Sequence, residues 1–249
     1  MEKVSIKTAP YENKKAQEKY CNAVEKVGLW QSERIVFEKF VNPQAKILDL
    51  GCGAGRTTFA LQKLGYKNIS GIDICPPFIE YANKKAIAES VDISFSIGDA
   101  TNLELEDNTF DVVLYSYNGL MCIPTSSARD MAVYEISRIL KPQGLFIFTT
   151  HDRETKKPEF AKFWAEEQKR WENGTQDKRL YDFGDRIIED SGNDDTVFVH
   201  IPNKIEVFDL LKKHNLELIY SEERDNIAVE SKEVKEFSNN CVFYVARKV

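Results

Sequence analysis

Apolar positions along this chain change their period several times, and each change marks an element. Over residues 11–41 they fall at helical spacing, at Val24, Val27, Leu29, Ile35, Val36, Phe37 and Phe40, and Gly28 predicts a break into two helices. From residue 45 the pattern alternates. Ala45–Leu50 is a short apolar run ending in glycines, and Arg56–Leu64 is helical and stops at Gly65. Ile69–Ile74 reads as a second strand, after which Pro76-Pro77 opens a helix where a missing amide proton costs little. Ile93–Ile97 is a third strand. The unbroken apolar run of Phe110–Tyr117 predicts a fourth, buried on both faces. Ser126–Leu140 is a helix closed by Lys141-Pro142, and Gly144–Thr150 is a fifth strand. Short apolar strands alternating with helices predict a doubly wound α/β fold: a mostly parallel sheet covered on both faces, with right-handed connections.

The rhythm breaks after residue 151. Residues 152–182 read as polar helix with embedded aromatics, Phe160, Phe163, Trp164 and Trp171. Asp185–Glu189 and Thr196–Ile201 read as a hairpin, with Ser191-Gly192-Asn193-Asp194 as its turn. Pro202-Asn203 begins a helix to about His214, and Leu216–Ser221 and Cys241–Arg247 read as closing strands. The charged stretch 222–240 between them reads as loop, with at most a helical turn. The expected organisation is one domain over residues 1–249. It has a helical N-terminal lid (1–44), a ligand-binding core (45–151), an inserted cap with a hairpin (152–203) and a C-terminal part of the core (204–249).

Composition narrows the partners. A net charge of −6 gives no electrostatic reason to expect nucleic acid. No apolar run reaches the ~18 residues of a membrane span, and Met1 to Lys7 holds no signal-peptide core. The five cysteines (Cys21, Cys52, Cys75, Cys122, Cys241) are scattered, without a CxxC pair. They read as free thiols in a reducing compartment, with no disulfide frame and no metal site, so a cytoplasmic location is expected. Oligomeric state is not legible.

Chemistry concentrates in four places. Gly51, Gly53 and Gly55 fall where the first strand turns into a helix, so bare backbone and free helix amides can approach a ligand closely. A dinucleotide fingerprint wants its third glycine one place later, where this chain has Arg56, and a P-loop would need Gly-Lys-Ser/Thr. The loop therefore favours a nucleoside ligand without a pyrophosphate over a nicotinamide dinucleotide. Asp73, ending the second strand before Ile74, is placed to accept both hydroxyls of a ribose. Gly98-Asp99-Ala100 follows the third strand, where Asp99 reads either as an acceptor for an adenine amino group or as a turn residue. Tyr115, Ser116, Tyr117 and Asn118 lie at the carboxyl end of the fourth strand, where open α/β sheets bind ligands.

Taken in order, Ile47–Thr58, Gly71–Ile74, Gly98–Ala100, Phe110–Tyr117 and Arg138–Asp152 resemble the motif series of class I S-adenosylmethionine-dependent methyltransferases. The resemblance covers roughly residues 45–151. It implies a Rossmann-like seven-stranded sheet whose last strand is antiparallel, and S-adenosylmethionine as cofactor. It further implies that Gly51, Gly53 and Gly55 line the methionine and ribose, and that Asp49 sits near the methionine amino group. Asp73 would hold the ribose, and Asp99 with Ala100 the adenine. Cys52, Ile74 and Tyr115 are counted with the cofactor-binding residues, and Cys52, inside the loop, reads as a small packing residue there and not a nucleophile. His151, ending the fifth strand, reads either as a general base or as a surface histidine. Tyr11 and Tyr20 read as lid or as helix packing. The cap reads as a cover over a small-molecule acceptor or as a subunit contact. Competing functions are a protein or RNA methyltransferase, a non-catalytic S-adenosylmethionine-binding protein and a nicotinamide-dependent oxidoreductase.

Overall fold

The computed structural model describes residues 14–154, 158–189 and 196–249. The core strands are β1 (Ile47–Leu50), β2 (Ile69–Asp73), β3 (Ser94–Ile97), β4 (Phe110–Tyr115) and β5 (Leu140–Thr150). They join β8 (Leu216–Glu223) and β9 (Val242–Lys248) in one seven-stranded sheet of order β3-β2-β1-β4-β5-β9-β8. All core pairs are parallel, whereas β9 runs antiparallel to both β5 and β8. The expected topology, antiparallel last strand included, is the observed one.

Strand residues alternate between two apolar layers. Ile47, Val112, Leu114, Ile147 and Val245 pack toward α1 (Lys14–Lys26), α2 (Gln31–Phe40), α3 (Arg56–Lys63) and α4 (Pro76–Glu89). Leu48, Leu50, Val113, Phe146, Phe148 and Tyr244 pack toward α5 (Ser126–Ile139) and α7 (Lys204–Lys213). Period two with both faces buried is what makes these strands read as continuous apolar runs. The order reverses between β1 and β4, and the carboxyl ends of the strands open there into a crevice.

The insert between β5 and α7 carries α6 (Pro158–Glu172) and an antiparallel hairpin, β6 (Asp185–Glu189) and β7 (Thr196–His200). Phe160, Phe163, Trp164, Phe183, Val199 and Ile201 build a satellite core that reaches the main body through Met121. The expected hairpin turn at 191–194 and Tyr11 lie outside the described residues.

Several boundaries differ from expectation. Helix α6 is shorter than the stretch 152–182, because Gly174 takes a left-handed φ of +66° and ends it. Strand β4 stops at Tyr115, since Tyr117 and Asn118 turn left-handed (φ +50° and +60°) into a 3-10 turn at Gly119–Cys122. Strand β5 starts at Leu140, its pairing with β4 shifted by an irregularity between Phe110 and Val112. The charged stretch 222–240 holds two short helices, α8 (Arg224–Ile227) and α9 (Lys232–Phe237). Ser231 caps α9, its Oγ accepting from the Val234 amide at 3.3 Å.

Candidate functional site

A cavity of about 1040 Å³ opens at the carboxyl ends of β1, β2, β4 and β5 and runs under the insert. Its floor is the loop after β1. Gly51, Gly53 and Gly55 all have positive φ (+66°, +55° and +89°), but they serve different ends. A Cβ added to Gly53 would meet nothing within 4 Å, so this residue presents bare backbone to the cavity. At Gly51 it would lie 2.5 Å from the Tyr115 ring, and at Gly55 2.8 Å from Phe59. Gly51 lines the cavity and makes room for Tyr115; Gly55 does not line it and makes room for core aromatics.

Asp73 stands at the rim. Its Oδ2 accepts the Gly53 amide and its Oδ1 the Cys75 amide, each at 2.8 Å. Those bonds fix the carboxylate against the glycine loop and leave each oxygen a second lone pair. Burial raises its pKa, and the two amide bonds oppose that. Ile74, Asp99, Ala100 and Tyr115 also line the cavity. Asp99 takes the turn reading, its Oδ1 accepting from the Thr101 amide (2.9 Å) and hydroxyl (2.8 Å), and the residue also borders the cavity.

Asp49 is not at the cavity surface. It is fully buried beneath the loop, where Oδ2 accepts the Thr58 hydroxyl at 2.6 Å and Oδ1 has no partner among the described residues. Burial, opposed by Thr58 and Arg56, pushes its pKa up to about 7. Period two explains the placement, since Asp49 shares the α3 face of β1 with Ile47. Cys52 is buried, with Sγ 3.5 Å from the Gly53 carbonyl. Burial and the neighbouring Asp49 and Asp73 charges push its thiol well above the ordinary value, so it is no thiolate nucleophile.

Arg56, where a dinucleotide site would have glycine, forms a buried bidentate pair with Glu33 (2.6 and 2.7 Å) and donates to the Gly28 carbonyl (2.7 Å). Its guanidinium stacks on Trp30, 5.0 Å from the ring centroid. The pair ties both N-terminal helices to the glycine loop. Tyr20 on α1 reaches the cavity and sits in an aromatic group with Phe78, Tyr117 and Phe237.

The far end of the cavity is built from β5, the insert and the C-terminal segment. His151 Nδ1 lies 2.9 Å from the Asn240 carbonyl and Nε2 lies 3.4 Å from the Asn118 side-chain nitrogen. A carbonyl only accepts, so Nδ1 carries the proton and Nε2 keeps its lone pair. Burial, with the charges of Arg224 and Arg186, lowers the histidine pKa against the opposing Asn240 bond. His151 is therefore a neutral, oriented imidazole in the cavity wall. Asn240, which orients it, comes from a stretch with no readable motif. Arg186, Phe160 and Trp164 also line this end.

Residues 47–144 match the family model described as a methyltransferase domain. The chain superposes with a TM-score of 0.71 on the crystal structure of a SAM-dependent methyltransferase from Methanosarcina mazei, over 89% of this chain and 99% of that one, at 20% identity. Over residues 47–144 the chain is thus similar to methyltransferase domains, and it shares the Rossmann-like fold of that solved structure. Among curated relatives, phosphoethanolamine N-methyltransferase 3 of Arabidopsis thaliana is 28% identical over 213 residues, covering 83% of this chain and 40% of that protein. Demethylmenaquinone methyltransferase of Staphylococcus aureus is 32% identical over 121 residues, 48% of each. The chain thus spans less than half the length of these relatives. The site fits S-adenosylmethionine on its own terms: an open backbone cradle at Gly53, a carboxylate with spare lone pairs at Asp73, and below the loop the Asp49 Oδ1, which has no partner among the described residues.

Proposed function

We propose that this methyltransferase domain passes a methyl group from S-adenosylmethionine to a small-molecule acceptor held under the insert. The observation that carries the proposal is the continuity of one cavity from Gly53 and Asp73 to His151 and the cap aromatics. Ligand sites commonly occupy roughly 300–1,000 Å³, so about 1040 Å³ has room for a donor and a second small molecule together.

S-adenosylmethionine supplies a methyl group on a positively charged sulfur that is already a good leaving group. The chain's own task is to bind and align. Asp73 accepts the ribose hydroxyls, Gly51 and Gly53 let backbone approach the donor, and Asp99 with Ala100 borders the adenine. Asp49, buried behind the loop, supports the donor's methionine end from below. Holding two reactants in line is worth several kcal/mol, with an upper range of about 7–11 kcal/mol. His151 accepts the acceptor's proton at Nε2, which Asn240 keeps unprotonated. The insert and α1 cover the acceptor and exclude water.

A net charge of −6 and two relatives named for small molecules support a small acceptor over RNA. Cysteines without disulfide partners among the described residues support a cytoplasmic setting, and no described helix is long and apolar enough to cross a membrane. Calorimetry with S-adenosylmethionine, its demethylated product and NAD tests the donor, and labelled methyl transfer to pooled metabolites tests the acceptor. Tight NAD binding without sulfonium binding rejects the proposal. Donor binding without transfer to any small molecule leaves a binding protein or a macromolecular acceptor.

A further inference from the structure

Arg186 differs from the other buried arginines near the cavity. Arg56, Arg129, Arg153 and Arg224 each hold a carboxylate, of Glu33, Asp182, Glu206 and Asp225 respectively. Arg186 is half-buried and has no carboxylate within ion-pair distance among the described residues; its guanidinium lies over the Phe163 ring, 4.2 Å from the centroid. Glu167 is the acid whose charge reaches it, but that carboxylate is engaged by Arg170.

The hairpin register explains why the cation faces the cavity. Arg186 pairs with Val199 and Ile188 with Val197, and all four line the cavity. Asp185 and His200, one residue out of phase, bond to each other at 2.7 Å on the opposite face. Among the described residues, one guanidinium therefore stands on an otherwise apolar sheet face. The described acids bordering this end have partners of their own. Asp152 lies 3.9 Å from Lys204 and accepts the Glu154 amide, Glu154 accepts from Asn203, and Glu223 accepts from Asn240.

Leaving a charge half out of water and unpaired is unfavourable unless something compensates it. A planar guanidinium fork matches a carboxylate or phosphate through two parallel hydrogen bonds. We propose that Arg186 is the acceptor-recognition residue, binding an anionic group, carboxylate or phosphate, on a substrate whose apolar body lies against the cap aromatics. His151 is close enough for the Arg186 charge to contribute to its lowered pKa, so a molecule anchored at the guanidinium has its reacting atom within the same cavity. This inference rests on the methyltransferase reading and names the acceptor's class.

The test is calorimetry on the full chain saturated with the demethylated donor product. The probes are phenylacetate, phenyl phosphate and the neutral phenylacetamide. Hydrogen bonds to a charged group are worth about 1.5–3 kcal/mol, so at least one anion should bind about ten- to hundredfold more tightly than the amide. Arg186→Gln should erase that preference and Arg186→Lys should retain part of it; which anion is preferred identifies the group. Thermal melting reports whether Arg186→Gln folds, and Arg186→Met, which keeps an apolar stem over Phe163, replaces it if not. Equal binding of all three probes, no binding of either anion at millimolar concentration, or a preference that survives Arg186→Gln overturns the proposal. S-adenosylmethionine titrated onto the same proteins separates the two levels. Lost donor binding in the unaltered chain would refute the methyltransferase reading, while intact donor binding without anion preference would refute only the role of Arg186.

Discussion

At the donor end, the cavity wall is made of backbone and carboxylates at the ends of β1, β2 and β3, in the order the chain lays them down. At the cap end it is made of side chains from β5, the inserted hairpin and the segment before β9, which are distant in sequence and meet only in the fold. In the proposed function the donor is met by the first kind of wall, which depends on local turns, and the acceptor by the second, which depends on long-range packing. If that division is real, changes at the two ends should separate binding from turnover. The largest effect belongs to the cap end. His151→Ala should lower turnover about 10²–10⁴-fold while donor affinity stays within about twofold. Kinetics beside donor calorimetry check this, and unchanged turnover would make His151 structural. Because its pKa is lowered, the acid limb of the rate profile should fall below the ordinary histidine range.

The next effect lies beneath the donor end. Asp49 titrates near 7 in the folded chain and near its ordinary value, about 4, when unfolded. Between those values the native state binds more protons, so this carboxyl's contribution to stability is full in acid and is lost as pH rises through about 7. The total is roughly 4 kcal/mol across that window. Asp49→Asn should flatten the stability curve from about pH 4 to about pH 7 in denaturant titrations. An unaltered slope would show that Asp49 is ionised in the native state.

The same division explains what sequence reasoning could reach. That Asp73, Asp99, Gly51 and Gly53 line the cavity was legible because each lies at or just past the end of its strand, and short apolar strands with abrupt ends announce themselves. The seven strands and the antiparallel β9 followed from the resemblance. Asp49 lies beneath the loop and not at the cavity surface because strand alternation, and not proximity in sequence, decides which side of β1 it takes. Gly55 looked like Gly53, but its missing side chain makes way for Phe59 and Phe95 instead of a ligand. Arg56 read only as a missing glycine; its bond to Glu33 needed α2 to be in place. Nothing near Asn240 or Arg186 advertised a role, since one acts through a backbone carbonyl and the other through hairpin register.

Asp73→Ala is a smaller test at the donor end. It removes a charged acceptor, so donor affinity should fall by about 1.5–3 kcal/mol. The Gly53 and Cys75 amides lose their partner too, so some stability should go with it. Cap substitutions such as Arg186→Gln should leave donor affinity alone. Calorimetry on both variants decides, and equal donor losses from the two ends would erase the division.

The finest test contrasts two glycines in one loop. Alanine at either position bears left-handed backbone strain of about 1–2 kcal/mol. At Gly53 the added methyl enters open cavity, so the further effect should appear as weakened donor binding. At Gly55 it overlaps Phe59 and Phe95, so the further effect should be about 1–3 kcal/mol of stability from overpacking. Donor affinity measured where Gly55→Ala is still folded should then exceed that of Gly53→Ala, although Gly53→Ala melts at the higher temperature. The reverse ranking would mean that the donor enters the loop nearer to Gly55, and that the aromatic pair beneath it yields when the donor binds.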